Sequence, residues 1–170
     1  MRVRLFVLAG LVAAFAAVVA APGAYAEETK CRGTLNGVTV DNLKVPKGAT
    51  CTLNGTKVKG TIKVGRNATL VATNIKVVGN IQAENHARVV VNGVKSKVGG
   101  SIQLVQGGSA TIRNVKVKGD VQLFENDGAQ LVATNKINGN LQCKENDVDP
   151  TGGNNVVGGN AEDQCEGLET

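Results

Sequence analysis

The chain has 170 residues, of which 42% are hydrophobic, 19% are charged and only 2% are aromatic. Its formal net charge is +5, but residues 27–118 hold 15 Lys/Arg and 4 Asp/Glu, whereas residues 119–170 hold 2 lysines and 10 acidic residues. The length allows one ordinary domain, and the scarcity of aromatic side chains excludes a conventional core built on large rings. Opposite charge on the two halves of a chain indicates an interaction surface or self-association.

Residues 1–26 have the pattern of a secretory signal peptide. Arg2 and Arg4 precede an uncharged apolar stretch, and an Ala-x-Ala cleavage site ends at Ala26. No other apolar run approaches the ~18 residues that a membrane span needs. We therefore expect a secreted, extracellular protein, at most associated with the cell wall, that begins at Glu27 and has no transmembrane segment after processing.

A short phrase of glycine, a polar residue and an aliphatic residue recurs about every 20 residues. Its copies begin at Gly60, Gly79, Gly100, Gly119, Gly139 and Gly159, and a degenerate copy begins at Asp41. Around each copy, apolar and polar residues alternate in runs of three to five, which is typical of short half-buried strands. Such a strand cannot bury a face alone, but identical units stacked side by side can.

The repeat predicts an all-β fold, a right-handed parallel β-helix (solenoid) of six or seven coils. Residues 27–165 are expected to form this single domain, and residues 166–170 a short acidic tail. Aligning the coils predicts one inward column formed by Cys51, Leu70, Val89, Ile112 and Leu131. Inward aliphatic columns of this kind would supply a continuous core.

An antiparallel β-sandwich is the alternative architecture. Four Asn-Gly pairs are strong hairpin signals: Asn36-Gly37, Asn54-Gly55, Asn92-Gly93 and Asn138-Gly139. Hairpins, however, do not require the same residue type to return every 20 or so positions. The solenoid is therefore favoured, with Asn and Gly as its corner residues.

The four cysteines fit the same period. Cys31 and Cys51 are 20 residues apart, and Cys143 and Cys165 are 22 apart. Residues one period apart lie on neighbouring rungs about 4.8 Å apart, a Cα separation that a disulfide tolerates. An even number of cysteines in an exported chain favours disulfides over zinc. We expect Cys31–Cys51 and Cys143–Cys165 to join the coils at the two ends.

Five lysines each stand three residues before the glycine of their coil, namely Lys57, Lys76, Lys97, Lys116 and Lys136. A solenoid would stack them in one outward column, with Lys59 and Lys118 two positions further along the same strands. Like charges on adjacent strands repel within a Debye length of about 8 Å. Such a column favours an anionic partner, namely a phosphate-bearing wall polymer, an acidic polysaccharide or an anionic lipid surface. Its alternative role is to keep the sheet soluble.

A second outward column contains Gln82, Gln103, Gln122 and Gln142, preceded by Lys44 and Lys63 and followed by Glu162. Stacked glutamines favour a structural amide ladder. His86, the only histidine, is expected at a surface corner. The sequence has no serine elbow, paired metal-binding histidines or P-loop, so it predicts no catalytic residue, cofactor or metal site. It also lacks the stacking rings typical of single-stranded nucleic-acid binding.

Two segments near the end of the chain carry a family resemblance. Gly139-Asn140-Leu141-Gln142-Cys143-Lys144-Glu145-Asn146 and Gly158-Gly159-Asn160-Ala161-Glu162-Asp163-Gln164-Cys165 resemble the ends of small secreted, uncharacterised actinobacterial proteins. The coil pattern is also loosely similar to that of bactofilins, which are polymer-forming β-helix proteins. The resemblance implies secretion and a β-helix, and it implies no activity.

Three functional hypotheses follow. The first is a non-enzymatic structural or binding protein of the cell envelope that contacts anionic wall polymers through the lysine column. The second is head-to-tail self-assembly, in which the basic coils of one copy meet the acidic end of the next. The third is a carbohydrate-active β-helix enzyme, which would need a groove with clustered carboxylates.

Overall fold

A computed structural model of the protein describes residues 27–170. Residues 1–26, where the signal peptide is predicted, lie outside the described residues. Within 27–170 the chain forms 22 short strands and no helix. These strands stack into three parallel sheets of eight, seven and seven strands, so the predicted all-β solenoid of about seven coils is confirmed. Its right-handed sense remains a prediction from the rule for parallel crossovers.

Each of the seven coils contributes one strand to each sheet, and the last strand of the chain adds an eighth to the first sheet. The first sheet contains β1 (Glu28–Lys30), β4 (Asn42–Val45), β7 (Ile62–Val64), β10 (Ile81–Glu84), β13 (Ile102–Val105), β16 (Val121–Phe124), β19 (Leu141–Lys144) and β22 (Ala161–Asp163). The second contains β2 (Thr34–Asn36), β5 (Thr50–Asn54), β8 (Thr69–Thr73), β11 (Arg88–Asn92), β14 (Ser109–Arg113), β17 (Gln130–Ala133) and β20 (Thr151–Gly153). The third contains β3 (Thr39–Val40), β6 (Lys57–Val58), β9 (Lys76–Val77), β12 (Lys97–Val98), β15 (Lys116–Val117), β18 (Lys136–Ile137) and β21 (Val156–Val157).

The pairing of the strands rules out the antiparallel sandwich. Neighbouring strands run parallel and join successive coils, so that Ile81 stands opposite both Ile62 and Ile102. The Asn-Gly pairs are corners: Gly37 and Gly55 have φ of 64° and 65° where the chain passes from the second to the third sheet. Glycine adopts these left-handed angles without a steric penalty, as the corner requires.

The interior consists of aliphatic columns. Along the first sheet, one column of fully buried side chains contains Leu43, Ile62, Ile81, Ile102, Val121 and Leu141. β-branched and small aliphatic residues suit the pleated inner faces of the sheets. The core needs no aromatic ring because each coil fills only a thin layer.

The predicted inward column of the second sheet is correct for Cys51, Leu70 and Val89. It is wrong for Ile112 and Leu131. In the structure, Ala110 and Gln130 continue that column, Ile112 pairs with Val91, and Leu131 pairs with Thr111 on the outer side. The longer coil between β11 and β14 absorbs its two extra residues in the turn between β11 and β12, after the second sheet.

The repeated phrase forms one corner of the solenoid, between the third and first sheets. Asn80 Oδ1 accepts the backbone N–H of Ser101 at 2.8 Å, and Ser101 Oγ accepts that of Asp120 at 3.0 Å. In the other coils, the equivalent position is occupied by Asn42, Thr61, Asn140 and Asn160. A Cβ on the preceding glycine would collide with this side chain of the coil below, as Gly100 would with Asn80. The phrase therefore encodes a side-chain-to-backbone hydrogen bond in every coil.

Two disulfides join neighbouring coils at the two ends of the described chain, as predicted. Cys31 and Cys51 have Cα atoms 5.5 Å apart, and those of Cys143 and Cys165 are 5.2 Å apart. Disulfides are typical of extracellular proteins. Residues 166–170 lie against the last coil, where Leu168 packs on the core. Over residues 27–170, no helix is long and apolar enough to cross a membrane.

Candidate polyanion-binding site

The outer face of the third sheet carries the five predicted lysines in one column. They stand directly opposite one another in the order Lys57, Lys76, Lys97, Lys116 and Lys136. All five are exposed, and the Val or Ile that follows each of them is buried. Because successive side chains of a strand point to opposite faces, burial of each aliphatic residue forces its lysine outward. Because neighbouring strands lie about 4.8 Å apart, the five lysines form a column about 19 Å long.

The lysine column has no neutralising partner in the described chain. The three ion pairs found within residues 27–170 involve Lys44, Lys59 and Lys144, and none involves a member of the column. Neighbouring lysines of the column stand one strand spacing apart, within a Debye length, and repel one another. An anion bound along the column would relieve that repulsion.

Lys59 and Lys118 are not on the strands of the third sheet, which corrects their predicted placement. The chain bends immediately after Val58 and Val117, because the glycine corner begins there, so each strand has only two residues. Both lysines lie in this bend.

The two bend lysines differ in their surroundings. Lys59 Nζ lies 2.9 Å from Asp41 Oδ1. The hydrogen bond and the charge of Lys59 lower the pKa of Asp41. Lys118 has no ion-pair partner between Glu27 and Thr170. Of the two bend lysines, only Lys59 is thus paired with a carboxylate in the described chain.

A shallow trough of about 500 Å³ follows the later part of the lysine column. Four lysines line it, namely Lys97, Lys116, Lys118 and Lys136. Val78 and Gly99 also contribute to its wall, and no carboxylate is among its lining residues in the described chain. The trough was not predicted from the sequence, because it depends on which bend residues fall beside the column.

The predicted glutamine column is present on the outer face of the first sheet. Each amide Nε2 donates to the oxygen of the next side chain at 2.7–3.0 Å, in the order Gln82, Gln103, Gln122, Gln142 and Glu162. A groove of about 540 Å³ lies beside it and includes Val105 and Phe124. Of the described residues lining this groove, Glu84 is the only acid, so it gives the enzyme hypothesis no support.

His86 is buried, which corrects its predicted surface position. Only 2% of the residue is exposed, and neither ring nitrogen has a hydrogen-bond partner in the described chain. Burial lowers the pKa of His86 to about 4, while the charge of Asp127 acts in the opposite direction. A neutral imidazole of this kind fills the corner below Gly107, where a Cβ would meet the ring. Sequence reasoning missed this burial, because the corner position alone does not fix which way the side chain turns.

Among residues 27–170, no group of three or more His, Cys, Asp or Glu side chains could hold a metal ion. Comparisons with protein families, curated proteins and solved structures found no match to this chain. The functional interpretation therefore depends on the side chains that the solenoid itself arranges.

Proposed function

We propose that the protein is a non-enzymatic, secreted component of the cell envelope that binds anionic wall polymers through the lysine column. The observation that carries this proposal is the direct register of five exposed lysines without an ion-pair partner in the described chain. The resemblance of the last two coils to secreted actinobacterial proteins supports secretion.

The solenoid supports this role because it fixes the positions of the charges before any ligand arrives. The backbone positions of the lysines are set by the ladder of the third sheet, and the ends of the rod are closed by Cys31–Cys51 and Cys143–Cys165. Preorganised binding groups lose less conformational freedom on association. A linear array of charge is matched by a linear polyanion, which can contact several lysines in succession.

The test is a variant with Lys76→Gln, Lys97→Gln and Lys116→Gln combined. Exposed ion pairs contribute roughly 0.2–1 kcal/mol each, so the loss of three should weaken binding about tenfold. Binding of the processed protein to isolated cell-wall fractions is measured by co-sedimentation at about 50 mM and about 500 mM salt. The wild-type protein should bind strongly only at low salt, and the variant weakly at both.

A matched control carries Lys47→Gln, Arg66→Gln and Arg88→Gln. These three exposed residues lie at or beside the corner between the first and second sheets, away from the lysine column, and their replacement changes the net charge equally. The control should bind almost as well as the wild type. Equal binding by the wild type and the lysine variant would contradict the proposal, as would an equal loss in both variants.

Head-to-tail self-assembly is a second candidate function, favoured by the order of charges along the first sheet. The column that contains the glutamines begins with Lys30, Lys44 and Lys63 at one end of the rod. It finishes with Glu162 at the other end. A second copy stacked on the acidic end would bring its Lys30 towards Glu162.

A further inference from the structure

We infer that the trough around Gly99 is the main contact site of the lysine column, and that it takes the phosphate groups of a phosphate-bearing polymer. This inference rests on the proposed function, since it locates the binding within the column and names the anion. It is carried by the lining of the trough, where lysines of successive coils meet and no carboxylate is found among the described residues.

The trough brings together lysines that have no ion-pair partner in the described chain. Lys97, Lys116, Lys118 and Lys136 line the same trough, and no carboxylate lines it in the described chain. In the first coils, the lysine at the bend position is Lys59, whose Nζ lies 2.9 Å from Asp41 Oδ1. An anion that enters the trough can therefore contact several ammonium groups that have no carboxylate partner in the described chain.

The shape of the trough leaves room for a chain between the charges. Gly99 occupies the bend position next to Lys118 and contributes no side chain, and a Cβ there would collide with the backbone oxygen of Val78. Val78 itself is 59% exposed. Apolar surface beside a row of ammonium groups suits a polymer in which uncharged links alternate with anionic groups.

The side chains of the trough suit a phosphate group. Its positive charges all come from lysine, since no arginine lines it in the described chain. Lysine acts as a compact point charge with three rotatable donors and is a common phosphate ligand. The oxygens of a tetrahedral phosphate point in several directions. They can therefore accept hydrogen bonds from two ammonium groups on neighbouring strands, whatever the rotation of the phosphate about the axis of the polymer.

Lys118→Gln and Lys59→Gln form a matched pair of variants for the test. The two residues occupy the same position in different coils, both are exposed, and each substitution removes one positive charge. The probes are inorganic polyphosphate and polyglutamate of similar charge, titrated into the processed protein by calorimetry at about 50 mM salt. The Lys76, Lys97 and Lys116 triple variant is measured in parallel.

We expect Lys118→Gln to weaken polyphosphate binding about two- to fivefold, the range for one exposed ion pair. Lys59→Gln should change it less than about 1.5-fold, because Asp41 already neutralises that lysine. Polyglutamate should bind more weakly than polyphosphate. Equal effects of the two single variants would overturn the location of the site, and equal binding of the two probes would overturn the preference for phosphate. If the triple variant bound polyphosphate normally, the proposed function itself would fail.

Discussion

His86 shows how a single buried residue ties the stability of the solenoid to pH. The neutral imidazole is fully enclosed, and Asp127 and Arg66 lie around the same corner cavity. The pKa of His86 is lowered to about 4, whereas the unfolded chain has the ordinary value of 6.5. Between these two values the unfolded chain binds a proton that the folded chain does not. The contribution of His86 to stability is therefore complete above pH 6.5 and is lost as the pH falls towards 4.

We predict that the free energy of unfolding falls by about 2 kcal/mol between about pH 7.5 and about pH 5 through His86 alone. In a His86→Leu variant, which keeps the corner filled, this pH-dependent loss should be absent. Urea denaturation of both proteins at the two pH values measures the difference. The same loss in the variant and the wild type would show that other groups cause the pH dependence.

At the scale of the strand and its corner, the glycine of the repeated phrase is the residue that lets neighbouring coils approach. Gly100 faces the Asn80 side chain, whose Oδ1 accepts the N–H of Ser101. A methyl group at Gly100 would displace that side chain and break its hydrogen bond. The register of the corner thus depends on the absence of one Cβ in each coil.

Gly100→Ala should lower the free energy of unfolding by about 1–3 kcal/mol, as overpacking does in a well-packed core. Gly33→Ala is the control, because no atom lies within 4 Å of the added Cβ and its φ is not left-handed. Gly33→Ala should change the free energy of unfolding by less than about 0.5 kcal/mol. Chemical denaturation measures both, and equal stability of the two variants would contradict the role given to the corner glycine.

Buried asparagines form a second type of ladder, in the later coils. Asn135 Oδ1 accepts the N–H of Val115 at 3.0 Å, and its amide donates to Ile112 at 2.8 Å. Asn155 repeats the arrangement one coil later. In the earlier coils the same position is held by Ile75, Ser96 or Val115. The corner therefore accepts apolar or polar residues, provided that each buried backbone group finds a partner.

At the scale of the whole molecule, the rod is electrically polar. Residues 27–66 contain 8 Lys/Arg and 3 acidic residues, and residues 141–170 contain 1 lysine and 7 acidic residues. Because the coils follow one another along the axis, the order of charge in the sequence becomes the order of charge along the rod. A contact between unlike ends repeats from copy to copy unless it closes into a ring.

We predict that the processed protein self-associates at low salt and dissociates at high salt. Glu162→Lys should reduce the association, since it places like charges at the junction, and adding Lys30→Glu to the same chain should restore it. Sedimentation velocity over a range of concentrations at about 20 mM and about 500 mM salt measures the species. A protein that stays monomeric at every concentration in low salt would contradict head-to-tail assembly.

Much of this architecture could be predicted from the sequence. The period of the glycine phrase, the alternation of apolar residues and the spacing of the cysteines predicted the parallel coils, both disulfides and the lysine column. This was possible because a solenoid turns separation along the chain directly into distance in space: residues one period apart become neighbours on adjacent rungs.

Other features were decided only by the tertiary structure. The burial of His86, the shift of Ile112 and Leu131, and the contrast between Lys59 and Lys118 all depend on where a coil absorbs extra residues and which way a corner side chain turns. A repeat period averages over these local differences, so it cannot specify them. They are set by packing and charge between coils, such as the contact of Asp41 with Lys59.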